Sequence, residues 1–373
     1  AASLKSRIFF VICLFLSIFC VFLTDTTQGI LVTLISTSVT TWLYLRTKFE
    51  NRLISNLFLV ALTFGSILVT LGILQKGPFS TYLYKRSVSL RGVYWDAAIN
   101  TGIHKIFTGV GLDSFGNWYR RMRSAKAATW LPGPETVTNV SHNYYLDIFA
   151  SGGLPLLLSY VSITLIGLIG IIRIIKSLNK FEPLPIILIS LFIAFQAQSI
   201  ISIPQIGLAV WGWVLIGAIH AYSRITISKE TVSKSTNNLR KSRGSDVPWG
   251  VLIFIGASFG LIIGIPPYSA DSQWSSALKA QDLSRIEKAL TPSYFSPQDS
   301  FRLANAVVIL EKSNLPEQAH KYAIQGVKFN PENFDAWKML YYSSKATAAE
   351  RNEALYNMKR LDPLNRNLNK LIK

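Results

Sequence analysis

Seven apolar runs leave this chain few folds to choose from. They cover Ile8 to Thr24, Gly29 to Leu45, Leu53 to Leu74, Leu154 to Ile175, Pro185 to Ile203, Leu208 to Tyr222 and Trp249 to Ile265. A helix crosses the hydrocarbon core with about 17 to 25 residues, and the runs meet or approach that length, the sixth least well. A bilayer offers backbone N–H and C=O groups no partner, so each spanning segment must satisfy them within itself. The sequence therefore predicts an all-α fold, a polytopic membrane helical bundle.

The connecting segments set its orientation. Lys5 and Arg7 precede the first run, Arg46, Lys48 and Arg52 separate the second from the third, and Arg173, Lys176 and Lys180 follow the fourth. Arg224, Lys229, Lys234, Arg240, Lys241 and Arg243 lie between the sixth and seventh, whereas Asp25 to Gln28 and Pro204 to Gly207 hold no Lys or Arg. The positive-inside rule then places the start of the chain in the cytoplasm. An odd number of spans puts the segment after the third run, and the tail, outside the cytoplasmic membrane. The net charge of +18 thus reads as a topology signal, and no nucleic acid is expected. Both cysteines, Cys13 and Cys20, fall in the first run, so neither a disulfide framework nor a thiolate metal site is expected.

Six segments follow: transmembrane helices over 1–75, an extracytoplasmic loop over 76–153, transmembrane helices over 154–222, a basic cytoplasmic linker over 223–248, a further span over 249–265 and an extracytoplasmic domain over 266–373. The chain enters its first run within a few residues of Ala1 and has no initial methionine, so it is expected to continue upstream. In the last segment FSPQDSFRLA, FNPENFDAWK and LDPLNRNLNK recur, with Pro297, Pro331 and Pro363 34 and then 32 residues apart. A period near 34 with proline at the turn matches a tetratricopeptide-like helical repeat, into which Ala319, Ala323 and Trp337 fit.

Polar and aromatic residues concentrate between Arg91 and Leu154. In S-H-N-Y-Y-L-D-I-F-A-S-G-G-L-P, Ser141 or Asn139 suits a helix cap, and His142 would share a helical face with Leu146 and Phe149. A histidine at the mouth of a membrane domain is a candidate general base near neutral pH, or else a packed structural residue. His104 has the weaker context and reads as structural. Arg91 and Trp95 stand one helical turn apart, and a guanidinium offers a planar fork to phosphate. Arg120, Arg121, Arg123 and Lys126 form a basic cluster suited to a diphosphate or to anionic headgroups. In G-V-G-L-D-S-F-G the spacing is wrong for a dinucleotide loop, so Gly109, Gly111 and Gly116 read as close-approach and turn positions. No HExxH, paired Cys or His at metal spacing, or Gly-x-Ser-x-Gly occurs, so neither a metal nor a cofactor is expected.

Taken together, Arg91 and Trp95, then Gly109, Gly111 and Phe115, then His142, Asn143, Leu146, Gly152 and Gly153 resemble the signature of the O-antigen ligase and polymerase superfamily in order, spacing and topology. The resemblance covers most of Ile8 to Tyr222, and some members carry a tetratricopeptide tail. It implies a metal-independent glycosyltransferase that moves a glycan from a polyprenyl diphosphate carrier to an acceptor hydroxyl. The site would lie on the outer side of the cytoplasmic (inner) membrane. His142 would activate the acceptor and Arg91 would hold the diphosphate, with Trp95, Asn143, Arg120, Arg121 and Arg123 as substrate contacts. Family members tend to have an arginine in the first short outer loop, where this chain has Gln28. Gln28 can bond a phosphate but brings no charge. The implied partners are the lipid-linked donor, a glycan or lipid acceptor, membrane lipids and an envelope protein at the tail. Ligase and polymerase remain alternatives. A third reading is a non-catalytic scaffold acting through the tail. A proton-coupled transporter would need charged residues paired within the spans, and almost none occur there.

Overall fold

The computed structural model describes residues 4–24, 26–73, 86–130, 132–203, 205–234 and 248–372. Among them the regular structure is helical. In chain order come α1 (Leu4–Leu23), α2 (Thr27–Lys48), α3 (Leu53–Ile73), α4 (Arg86–His104), α5 (Phe115–Met122), α6 (Ala125–Thr129) and α7 (Tyr144–Ser177). They are followed by α8 (Pro183–Ile201), α9 (Ile206–Lys234) and α10 (Trp249–Ala280). Among the described residues six helices, α1, α2, α7, α8, α9 and α10, are long and apolar enough to cross a membrane. The chain is thus a multi-pass membrane protein. The expected third span forms α3, whose apolar stretch Leu53–Val69 is shorter than the other six; Leu74 lies outside the described residues. The chain divides into two compact units, residues 1–124 with 137–237 and residues 125–136 with 238–373.

The first unit packs α2, α7, α8 and α9 around Leu43, Ile174, Ile186, Ile189, Phe192 and Ile219, each at most 2% exposed. α2 is rich in threonine and serine yet spans, because its hydroxyls turn back onto the helix. Thr33, Thr37, Thr40 and Thr47 donate to carbonyls four residues earlier. Thr40 also contacts the Ser190 hydroxyl of α8 at 2.8 Å, a polar tie inside an apolar interface. α7 is two helices joined at Gly153, whose φ of 66° and ψ of −165° break the helical path just before Pro155. The apolar span therefore begins at Leu154, as the sequence predicts. α9 runs on to Lys234, so the first part of the expected linker is helical. Once a helix is nucleated, each further residue adds a hydrogen bond at little extra cost. The remainder, 235–247, lies outside the described residues.

The second unit corrects a boundary. The seventh span was expected to end at Ile265, but α10 continues through Pro266 and Pro267 to Ala280. Proline at 266 removes the N–H that would bond the Ile262 carbonyl. The Tyr294 hydroxyl donates to that oxygen instead, at 2.6 Å. The continuation also carries Trp274 and Ala277 into the core of the tail. Beyond it lie α11 (Leu283–Leu290), α12 (Ser300–Lys312), α13 (Pro316–Phe329), α14 (Phe334–Tyr342), α15 (Ala348–Leu361) and a short 3-10 turn, Arg366–Ile372. Asp299 caps α12 and Asn333 caps α14 through side-chain oxygens, 34 residues apart. Ala319, Ala323 and Trp337 are buried in the same core, and the Trp337 indole donates to the Pro331 carbonyl at 2.8 Å.

Candidate active site

Two elements of the first unit build the site, α4 and the start of α7. α4 lies against α7 through small residues: Ala97, Ala98 and Ala150 are fully buried beside Phe115 and Tyr119. The connecting loop is bonded to the same place. Val110 and Gly111 donate to the carbonyls of Ala150 and Ser151 at 2.9 Å, and Leu154 donates to Ile106 at 2.7 Å. Gly109, at φ 62°, sits so close that a Cβ there would meet the Ser151 carbonyl carbon at 2.2 Å. Close approach, not nucleotide binding, is what this glycine provides.

The helix cap differs from expectation. Neither Ser141 nor Asn139 caps α7; Asn143 does, its side-chain oxygen accepting from Leu146 N–H at 3.1 Å. His142 therefore precedes the helix and shares no helical face with Leu146 and Phe149. It has a left-handed backbone, φ 58°, which is costly for a residue with a Cβ. Its neighbours hold it there. Asp147 accepts from Ser141 N–H at 2.7 Å, and the Ser141 hydroxyl donates to the Asn143 carbonyl at 2.9 Å.

From this position the His142 ring stacks on Tyr94 of α4, centroids 5.7 Å apart and planes at 27°. Tyr94 in turn meets Tyr119 edge-on at 5.8 Å. Arg91 lies one turn before Tyr94 and donates to the Gln28 side-chain oxygen at 3.3 Å. That partner is a neutral amide, so the guanidinium keeps its charge and most of its five N–H groups for an anion. Burial holds the Arg91 pKa below its ordinary value. Burial also lowers that of His142, and the nearby Arg91 charge lowers it further. His142 is consequently a neutral imidazole at neutral pH, able to accept a proton.

The remaining candidates are placed differently. Trp95 is half-buried on α4, its indole N–H enclosed with no acceptor. Arg120 and Arg123 are buried, 5% and 2% exposed, so they do not form the outward basic face that headgroups would need. The Arg121 guanidinium lies 3.8 Å over the Trp118 ring, which His104 also approaches at 5.4 Å. Sequence reasoning missed Tyr94 and Asp147. Tyr94 stands at i+3 from Arg91, and Asp147 falls within the motif that carries His142.

A multi-pass helical membrane protein with an arginine and a neutral histidine gathered outside its spans defines the class. Residues 12–161 match the family model described as O-Antigen ligase, a stretch that includes Gln28, Arg91, Trp95, His142 and Asn143. Over that stretch the chain is similar to the O-antigen ligase family. No curated protein and no solved structure matches the chain.

Proposed function

We propose that the chain is a metal-independent glycosyltransferase that moves a glycan from a polyprenyl diphosphate carrier to an acceptor hydroxyl, outside the cytoplasmic membrane. The observation that carries this reading is the meeting of Arg91 and His142 around Tyr94, residues far apart in sequence. The acceptor oxygen bonds to the anomeric carbon as the bond from that carbon to the phosphate oxygen breaks. His142 takes the hydroxyl proton, and the departing diphosphate keeps the electron pair and gathers charge beside Arg91. Gln28 accepts from the guanidinium and steadies it. The 34-residue spacing of the caps in the tail supports a tetratricopeptide-like array, and such arrays present concave surfaces to a protein partner.

The test is transfer from the native lipid-linked donor in membranes, comparing wild type with His142→Ala and His142→Asn at equal protein level. Asparagine tolerates the left-handed backbone, so that variant removes the base without adding strain. A loss of about 100-fold to 10,000-fold in both is expected. Retention of wild-type rate by either would sink the base assignment. The product chain separates ligase from polymerase, because a polymerase lengthens a glycan by repeat units and a ligase moves it whole.

A further inference from the structure

Within the second unit, α10 is long and apolar enough to cross a membrane, and its own residues mark where it leaves the hydrocarbon. Counted from Trp249, where the helix begins, Tyr268 is reached after about 28 Å at 1.5 Å per residue, close to the hydrocarbon thickness of roughly 30 Å. Tyr268 is 77% exposed, and Ser269, Asp271, Ser272 and Gln273 follow it, so apolar residues give way to polar ones at the same level. By the same rise Ile262 stands about 9 Å nearer the middle of the span. The Tyr294 hydroxyl donates to the carbonyl of Ile262, while the Phe295 carbonyl accepts from the Gln273 side chain at 3.3 Å. The Tyr294 ring therefore runs down α10 from the polar level into the apolar one. The Phe295 ring meets it edge-on, centroids 5.0 Å apart, and the two residues are 54% and 56% exposed. The turn that carries them is clamped. Ser293 and Ser296 exchange backbone hydrogen bonds at 3.0 and 3.1 Å, and the Ser296 hydroxyl donates to the Ala289 carbonyl at 2.6 Å. From Thr291 to Gln298 no charged residue occurs.

We infer that this turn is a membrane wedge: Tyr294 and Phe295 enter the interface of the bilayer that α10 crosses and seat the tail on it. The partner is the lipid surface, at the boundary of headgroups and acyl chains. Lipid is the occupant that the geometry favours, because the two rings continue the lipid-facing surface of the span, where Leu261, Ile262 and Ile263 are exposed as well. Aromatic side chains gather at this boundary, where a tyrosine keeps its ring in the apolar layer and its hydroxyl bonded. The paired peptide groups of Ser293 and Ser296 lower the cost of leaving water there. α10 runs as one helix into the core of the tail, which it joins through Trp274 and Ala277. A wedge at this level therefore fixes the height and tilt of the tail, which otherwise depend on α10 alone. The inference is independent of glycan transfer and holds whatever reaction the first unit performs.

The experiment is spin-label accessibility on the full chain, one copy per nanodisc of phosphatidylcholine and phosphatidylglycerol, with Cys13 and Cys20 replaced by serine. One label is placed at Phe295→Cys and another at Tyr356→Cys, a position of the tail that is 70% exposed. The label at 295 is expected to collide with oxygen in preference to a water-soluble nickel chelate, at a depth of about 5–10 Å below the headgroup boundary. The label at 356 should show the reverse preference. Equal chelate access at both positions would overturn the wedge, and protection of 295 from oxygen and chelate alike would show that protein covers it instead of lipid. A second measurement keeps the native rings. A phospholipid with a diazirine in its acyl chain is photolysed beside the unlabelled chain, and the modified peptides are mapped by mass spectrometry. Label is expected on the peptide that holds Tyr294 and Phe295, and on the apolar part of α10. Replacing Tyr294 and Phe295 together by serine should remove the first and leave the second. An unlabelled turn in the wild type, or a labelled one in the double variant, would overturn the proposal.

Discussion

Arg91 acts twice at the site, as the anion's partner and as a charge that keeps His142 unprotonated. The two roles separate in a pH profile. Burial and the Arg91 charge both place the His142 pKa below the ordinary 6.5, so the midpoint of the acid limb of transfer should lie below pH 6.5. Replacing Arg91 by glutamine removes a like charge from the imidazole and makes protonation easier. The acid limb should then move upward while staying below 6.5, because burial remains. Overall transfer should fall as well, since the diphosphate loses its cation. The measurement is the relative rate of Arg91→Gln and wild type between pH 5 and 8. A limb that stays in place, or moves down, would show that Arg91 does not act on His142. The pairing of Arg91 with Gln28 was not legible in sequence, because 63 residues separate them and only packing brings them together. Gln28 itself stood out by a missing charge, and the structure gives its amide a positioning contact.

At the scale of elements, the start of α7 is held from two sides, by its cap and by the loop bonded to its end. Gly109 is the point where these meet. An alanine there adds left-handed strain of about 1–3 kcal/mol and places a methyl inside the Ser151 peptide. Gly109→Ala should therefore release the loop locally. Hydrogen exchange at Val110 and Gly111, whose N–H groups bond Ala150 and Ser151, should quicken about tenfold or more, with the core of α8 unchanged. Equal protection in variant and wild type would mean that the loop is held by something else. Much of this element was readable: the glycine spacing announced close approach, and the apolar run from Leu154 announced where the span begins. The cap was not, because Asn139, Ser141 and Asn143 are all capable capping residues within five positions. The choice among them is made by Asp147, which takes the Ser141 N–H and leaves Asn143 to the helix. The boundary at Ile265 failed in the opposite way. Pro266 ends a helix only while the freed Ile262 carbonyl has no donor, and Tyr294, 32 residues away, supplies one.

For the whole molecule, one helix decides on which side the chemistry takes place. Four helices long and apolar enough to cross, α7 to α10, come between the loop that carries His142 and the tail, an even number. If α3 does not cross, Arg46, Lys48 and Arg52 lie on the side of that loop. Arg173, Lys176 and Lys180 are then opposite them, with positive charge on both faces. If α3 crosses, all these residues fall on one face, as the positive-inside rule requires. Its 21 helical residues reach about 31 Å at 1.5 Å each, close to the hydrocarbon thickness of roughly 30 Å. The charge pattern and the helix length thus argue for a crossing, although the apolar stretch Leu53–Val69 is shorter than the others. The prediction is made with Cys13 and Cys20 replaced by serine and single cysteines placed at the exposed positions Glu50, Lys105 and Tyr356. In sealed right-side-out vesicles an impermeant maleimide should label Lys105→Cys and Tyr356→Cys and spare Glu50→Cys until the membrane is opened. Labelling of Glu50→Cys together with Lys105→Cys would show that α3 stays on one side. A site facing the cytoplasm would follow if Lys105→Cys and Tyr356→Cys were both protected, and His142 would then meet nucleotide sugars instead of an exported lipid-linked glycan.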